Sequence, residues 1–315
     1  MDANKTPLPS KNLLDLPEVC AQAVIAKVGY RALHRLPLVH SSLKEFMNKT
    51  DFPYEIEKMS IGKNGETVTV TVEDKVDSVT VIYTSHETGT MVSCGSMENF
   101  IPEQDYLSLA AAHLESVIKN QKTTIRRMEF KRGINVELVQ KLQEAVKGES
   151  INALEFLFEG DIGMSSHLIL LINPATIGKL IFQFTGHQVF ESQPILQSPQ
   201  WKAAKAIDAF ETEFDNQTLE NFKHFTVIYA LIPDLTLQLY EELKQHFMSK
   251  PDFEVAFIRY KRFAQNIAPV VGLEEYAAIP GTDDVFFFHQ AANISKFVRL
   301  HRSKVPANVT VVENW

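Results

Sequence analysis

Apolar positions along the chain change period twice. From Leu14 to Met47 they recur at helical spacing in three short groups: Leu16, Val19, Ala23, Val24 and Val28, then Leu33, Leu36, Leu38 and Val39, then Leu43, Phe46 and Met47. Asp15-Leu16-Pro17-Glu18 reads as a helix start, with an acidic cap, proline in the first turn and negative charge at the positive end of the helix dipole. Gly29 closes that helix. Three short helices in roughly 35 residues cannot bury a core of their own. The module is therefore completed by something else, either the following domain or a second protein.

Beyond Asp51 the period falls to two. Tyr54–Ile61 alternates, Lys63-Asn64-Gly65 is a hairpin signal, and Thr67–Val72 is β-branched throughout. Ser78–Tyr83 and Thr90–Ser93 add two more strands, so a small antiparallel sheet is expected, with a helix from about Tyr106 to Ile118 packed on it. From Met128 onward strands and helices alternate. Met128-Glu129-Phe130, Leu154-Glu155-Phe156-Leu157-Phe158 and Leu180-Ile181-Phe182-Gln183-Phe184 start 26 residues apart each time, a spacing typical of solenoid repeats. The intervening segments are helical: Val136–Leu142, and a weaker one ending near Asn173-Pro174. Strand-then-helix units imply parallel pairing. Further strands are expected near Ala206–Phe210, Thr226–Tyr229 and Glu254–Ile258, with a helix through Leu237, Tyr240, Leu243 and Phe247. The facing of Asp208 is ambiguous. C-terminal strands are expected at Val285–Phe288, Phe297–Leu300 and Val309–Val312, which either cap the repeats or extend their surface. The fold class is thus mixed α/β: three N-terminal helices, an antiparallel sheet, then a leucine-rich-repeat-like β/α solenoid.

In such a repeat Met128, Phe130, Leu154, Phe156, Phe158, Leu180, Phe182 and Phe184 share the inward face, because alternate strand residues point the same way. Glu129, Lys131, Glu155, Leu157, Ile181 and Gln183 then lie on the other face, where a partner could be read, with Leu157 and Ile181 as exposed apolar anchors among polar neighbours. If a second layer covers that face, the two are core instead. Trp201 reads as a core filler whose indole N–H is satisfied locally in preference to a recognition anchor, and His224 beside Phe225 as a packed or surface histidine.

Composition narrows the classes. At 315 residues and 45% hydrophobic content the chain holds about two structural units with substantial cores. A net charge of −8 argues against nonspecific nucleic-acid binding, and the densest basic run, Lys122, Arg126, Arg127, Lys131 and Arg132, reads as a solvated face. No export signal or membrane span is expected. Cys20 and Cys94 are too few and too far apart for a disulfide framework or a metal knuckle, which fits a reducing compartment, cytoplasmic or nuclear. Asn-x-Ser/Thr matches such as those beginning at Asn48, Asn216, Asn293 and Asn308 have no consequence without export. No phosphate-binding glycine cluster, His-Glu-x-x-His, Gly-x-Ser-x-Gly or Cys-x-x-Cys occurs, so neither enzyme chemistry nor a cofactor is indicated.

Leu16-Pro17-Glu18-Val19, followed by Val24, Val28, Leu33, Leu36, Val39, Leu43 and Phe46, resembles an F-box and aligns with it without a gap. Two residues depart from the pattern. Pro37 stands where the family's second helix usually continues, and Val28 replaces the usual leucine. A second resemblance runs from about Glu103 to Arg262, where the chain looks like the FTH domain that accompanies F-boxes in a large nematode-expanded family. The residues that carry it are Gln200-Trp201-Lys202-Ala203-Ala204-Lys205, His224-Phe225 and Ser249-Lys250-Pro251-Asp252-Phe253-Glu254, with Pro199 in place of a frequent acidic residue.

The resemblances imply a non-catalytic adaptor of an SCF-type ubiquitin ligase. Leu14, Leu16, Pro17, Val19, Val24, Val28, Leu33, Leu36 and Val39 would fall on positions that contact a Skp-family linker protein, and through it a cullin, or that pack the module. The FTH region would bind an unknown protein substrate. The implied organisation is a flexible tail at 1–11, the F-box at 12–50, an antiparallel β connector at 51–104, the FTH repeat domain at 105–275 and C-terminal strands at 276–315. The rival reading is an interaction scaffold outside such ligases, with an F-box decayed through Pro37 and Val28.

Overall fold

The computed structural model describes residues 56–119, 123–184, 194–213, 221–263, 276–278, 284–291 and 294–302. The tail at 1–11, the F-box-like module at 12–50 with all nine of its linker-contact positions, and the strand expected at Val309–Val312 lie outside the described residues.

The alternating run after Asp51 forms five antiparallel strands: β1 (Ile56–Asn64), β2 (Thr67–Asp74), β3 (Ser78–His86), β4 (Gly89–Cys94) and β5 (Met97–Pro102). β2 shows why this sequence pleats. Val68, Val70 and Val72 are fully buried on one face, while Thr67, Thr69 and Thr71 occupy the other. Thr67 meets Thr84 across the β2–β3 pair at 3.3 Å, and Thr71 meets Thr80 at 3.0 Å. Gly65 takes φ 55° in the β1–β2 turn, as the Lys63-Asn64-Gly65 signal requires. The β5 strand was not foreseen. Its signal is the Gly95-Ser96 turn, with Gly95 at φ 63° between the paired Cys94 and Met97.

Helix α1 (Tyr106–Lys119) places Leu107, Ala110, Ala111, Leu114, Val117 and Ile118 on one buried side, at the spacing an amphipathic helix needs. It packs on β2 and β3. The Tyr83 hydroxyl, pushed up to about 12 by burial and then by Cys94, hydrogen-bonds His113 of this helix at 2.9 Å.

β/α units follow: β6 (Ile125–Phe130), α2 (Val136–Ala145), β7 (Ala153–Gly160), α3 (Ile162–Leu168) with a 3-10 turn at Ile169–Leu171, β8 (Lys179–Phe184), α4 (Pro199–Ala203), β9 (Ala206–Glu213), β10 (Val227–Leu235), α5 (Leu237–Ser249) and β11 (Val255–Phe263). Asn135 caps α2 by accepting from the Leu138 amide, and Ser198 caps α4 by accepting from Trp201. β6 through β11 pair in parallel and in chain order. Beyond them β12 (Tyr276–Ala278), β13 (Asp284–Ala291) and β14 (Ile294–Arg302) complete one 14-stranded sheet, with β14 parallel to β11. The described residues are therefore mixed α/β, with a single large sheet and few helices. β1 pairs in parallel with β6, so the sheet runs through the expected boundary at residue 104 without a break.

The described helices contribute buried side chains to one hydrophobic cluster on the inner face of this sheet. Phe130, Phe156 and Phe182 step across β6, β7 and β8 with ring centroids 5.8 and 6.2 Å apart, and Trp201 continues the row 6.3 Å from Phe182. One inward assignment fails. Leu154 is 48% exposed, because Met128 pairs with Phe156 and not with Leu154. The partners Met128, Phe156 and Leu180 lie 28 and 24 residues apart, so the uniform spacing of 26 hides a two-residue slip. A slip of two preserves the face of every other residue but leaves Leu154 at the rim, beside Arg126.

Candidate functional site: the outer face of the parallel strands

The face opposite the helices carries the polar half of each strand. Pairing sets three rungs across it. Arg127, Glu155 and Lys179 stand side by side on β6, β7 and β8. The next rung holds Glu129, Leu157 and Ile181, and the third holds Glu159 beside Gln183, with Lys131 just past the end of β6. All six residues expected on this face, Glu129, Lys131, Glu155, Leu157, Ile181 and Gln183, are brought together here. Asp208, ambiguous from sequence, joins them opposite Ile181.

Charges on the outer rungs are matched to one another. Arg127 bonds Glu155 at 2.6 Å and lies 3.9 Å from Glu129. Lys131 reaches Glu129 at 3.4 Å and Glu159 at 3.3 Å. Lys179 pairs with Asp208 at 3.2 Å and lies 6.0 Å from the centre of the Tyr229 ring. The row continues onto the antiparallel side, where Lys58 meets Glu73 at 2.7 Å. Partial burial draws the Lys131 ammonium down, but Glu129 and Glu159 more than offset this and hold it above the usual lysine value. The exposed pairs among these contribute at most about 1 kcal/mol each. Their combined effect is to leave little uncompensated charge, so the basic run Arg126, Arg127 and Lys131 is not a free cationic patch. Arg126 itself pairs with Glu57 at 3.4 Å.

The middle rung corrects the expectation of exposed anchors. Leu157 and Ile181 are each 7% exposed and Glu129 5%. They lie outside the inner cluster, in a trough between two ion-paired rungs whose longer side chains rise on either side. Sequence places the residues on the right face but cannot show how much of them their neighbours cover.

At the far end of the inner face, the residues that carry the FTH resemblance form an aromatic and hydrogen-bonded knot. Trp201 packs edge-on against Phe222 and Phe225 at 5.7 and 5.2 Å, and its Nε1 donates to the Asn221 carbonyl at 3.2 Å. His224 Nε2 lies 2.8 Å from the Trp201 carbonyl, and the Lys250 ammonium donates to the carbonyls of His224 and Phe225. Burial holds His224 below its usual pKa, with Lys250 adding to the shift, while hydrogen bonds to the Trp201 and Asn221 carbonyls oppose it. Gln200 is buried, its side-chain amide donating to the Ile172 carbonyl at 2.8 Å. These three sequence-distant segments are a structural lock that fixes β9, β10 and β11 in order.

A pocket of about 420 Å³ opens at the strand starts, lined by Ile56, Glu57, Arg126, Leu154 and Glu155 among others. Among the described residues no cluster of three His, Cys, Asp or Glu side chains could hold a metal ion, and no helix is long and apolar enough to cross a membrane.

Comparison with known families assigns part of this architecture. Residues 137–271 match the FTH domain, a span that starts within α2 and extends past β11. It includes Glu155, Leu157, Ile181, Gln183 and the Trp201 knot, and leaves Glu129 and Lys131 just outside. No curated protein and no solved structure matches the chain.

Proposed function

We propose that this protein is a substrate-recognition adaptor of an SCF-type ubiquitin ligase, in which the F-box-like module at 12–50 binds a Skp-family linker and the FTH region holds a protein substrate. The observation that carries the reading is the FTH domain at residues 137–271, a domain found in F-box-associated proteins and compatible with protein interaction, placed after a sequence module that resembles an F-box. The order of the two is that of the family. Parallel strands in chain order support the solenoid-like reading of the FTH region, with the outer face of β6–β9 as the surface presented to the substrate.

On this reading no residue of the chain does chemistry. The linker end joins the cullin and the charged ubiquitin-conjugating enzyme, the FTH end retains the substrate, and a substrate lysine gains effective concentration near the thioester. The site of action is cytoplasmic or nuclear. Recognition at the outer face would exchange existing ion pairs for new ones, since Arg127, Lys131 and Lys179 already have partners. That favours selectivity over raw affinity.

Titration calorimetry of the full chain against a Skp-family linker tests the adaptor role, with Leu16→Asp as the paired variant. Binding by the wild type that is abolished by the charge at Leu16 is the expected result. A folded chain with no linker binding would instead favour the scaffold with a decayed F-box, pointing to Pro37 and Val28.

A further inference from the structure

Among the described residues the 14-stranded sheet ends at β5, which pairs on one side only, with β4. Apart from half-buried Ile101 its side chains are exposed: Met97 is 52% exposed and Phe100 41%. Proteins ordinarily blunt such an edge with lysine, an internal proline or a bulge. β5 has none of these between Met97 and Ile101, and Pro102 closes only its end.

The edge is held rigid at both ends. The Gly95-Ser96 turn fixes one. At the other, the Glu103 amide donates to the Thr88 carbonyl at 2.9 Å, and Thr90, fully buried, donates its hydroxyl to the Gln104 carbonyl at 2.6 Å. A Cβ on Gly89 would come within 2.3 Å of the Ile101 carbonyl oxygen, so the β4–β5 approach there depends on glycine. Antiparallel pairs alternate between bonded and unbonded. The Glu103–Thr88 bond and the two-residue turn together set the phase, directing the amides of Met97, Asn99 and Ile101 toward β4 and those of Glu98 and Phe100 outward.

Charge along this stretch of the chain has one sign. From Val76 through Ile118 the chain contains no lysine or arginine, while Asp77, Glu87, Glu98, Glu103, Asp105 and Glu115 fall within the same stretch. Glu87 and Glu103 sit at one end of β5 and Glu98 at the other, and none of the three has an ion-pair partner among the described residues. This is the reverse of the self-paired charges on β6–β9.

We infer that β5 is a strand-acceptor edge, which takes an extended partner segment alternating lysine or arginine with apolar residues. Main-chain bonds to Glu98 and Phe100 supply the pairing, and the unpaired carboxylates select the charge. Because the edge is already ordered, most of the ordering cost falls on the incoming segment. The segment from 89 to 103 is then a binding element rather than a connector, and this stands or falls independently of linker binding.

The test uses the full chain and two capped peptides of about eight residues, one alternating lysine with valine and one alternating glutamate with valine. Binding of the lysine peptide only, with slowed hydrogen exchange at the Glu98 and Phe100 amides, is expected. Phe100→Pro removes an outward donor and leaves the β4 ladder intact, so affinity should fall at least roughly tenfold with the melting temperature nearly unchanged. Glu98→Lys alters an exposed side chain and should weaken the lysine peptide, which keeps the test readable if the proline variant fails to fold. Failure of the lysine peptide to bind, equal binding of both peptides, or undiminished binding by both variants would overturn the inference. So would protection of the Glu98 and Phe100 amides in the free chain, whether independent of concentration, meaning a segment of the same chain occupies the edge, or rising with it, meaning a second copy does.

Discussion

The two halves of the sheet share a face but use it in opposite ways. On β6–β9 the outer face is a set of ion-paired rungs with Leu157 and Ile181 sunk between them. On β2–β5 the same face carries a run of threonines with Ile82 and Phe100 exposed among them, and the carboxylates of Glu87, Glu98 and Glu103 have no cationic partner among the described residues. Parallel strands here are flanked on both sides, so every outward residue has neighbours to pair with. The antiparallel half runs out to an edge, where neither backbone nor carboxylate has a partner among the described residues. A closed face discriminates among partners, whereas an open edge supplies main-chain bonds to any extended segment and selects by charge.

If the contrast is only one of surfaces, both halves must still fold as one body, since a single hydrophobic cluster underlies them. Trp201→Ala puts this to the largest test. The side chain is 1% exposed and touches Phe182, Phe222 and Phe225, so its loss should cost about 3–5 kcal/mol. Hydrogen exchange should quicken in β2 and β3 as well as in β9 and β10. Unchanged protection in β2 and β3 would mean that the halves unfold separately, and the comparison would become one between two domains.

A smaller effect separates the faces themselves. Leu157→Ala empties the trough between ionic rungs and should destabilise by about 2–3 kcal/mol. Ile82→Ala, on the same face of the antiparallel half and already exposed, should stay within about 1 kcal/mol. Denaturant midpoints of the two variants measure the difference directly. Equal costs would show that the trough gives Leu157 no more burial than the open threonine surface gives Ile82.

What the sequence disclosed follows from period and polarity. The alternation in Thr67–Val72 and the Glu129/Leu157/Ile181 face were legible because a strand's two faces differ in composition, and parallel order followed from strands separated by helices. Leu154 was misjudged because an even slip in register leaves polarity patterns intact while moving a residue to the rim. The exposure of Leu157 and Ile181 was misjudged because cover depends on which charges stand on adjacent strands, a relation between residues 20 to 50 positions apart in the chain. β5 escaped because Met97–Ile101 alternates weakly; an edge strand with no layer against it is under little pressure to do otherwise. The packing of Trp201 was readable and His224 could be read only as packed or at the surface; their mutual bond was not legible, since it joins segments that only the fold brings together.

The smallest effect concerns that bond and belongs to the parallel half alone. His224 is held below the usual histidine pKa in the fold, first by burial and then by Lys250. Above about pH 6.5 the imidazole is neutral in both folded and unfolded chains and costs nothing. As pH falls through that value the unfolded chain takes up a proton that the folded chain still refuses, so stability declines until the lower folded pKa is passed and then levels off. His224→Gln has no charge to gain and an amide that can still donate to the Trp201 carbonyl. Carboxylates elsewhere titrate alike in both proteins, so the difference between their stability profiles isolates the histidine. That difference should grow below about pH 6.5 in favour of the variant. A constant difference from pH 7.5 to 5 would mean that His224 ionises as freely in the fold as out of it, and that the lock around Trp201 is open to water.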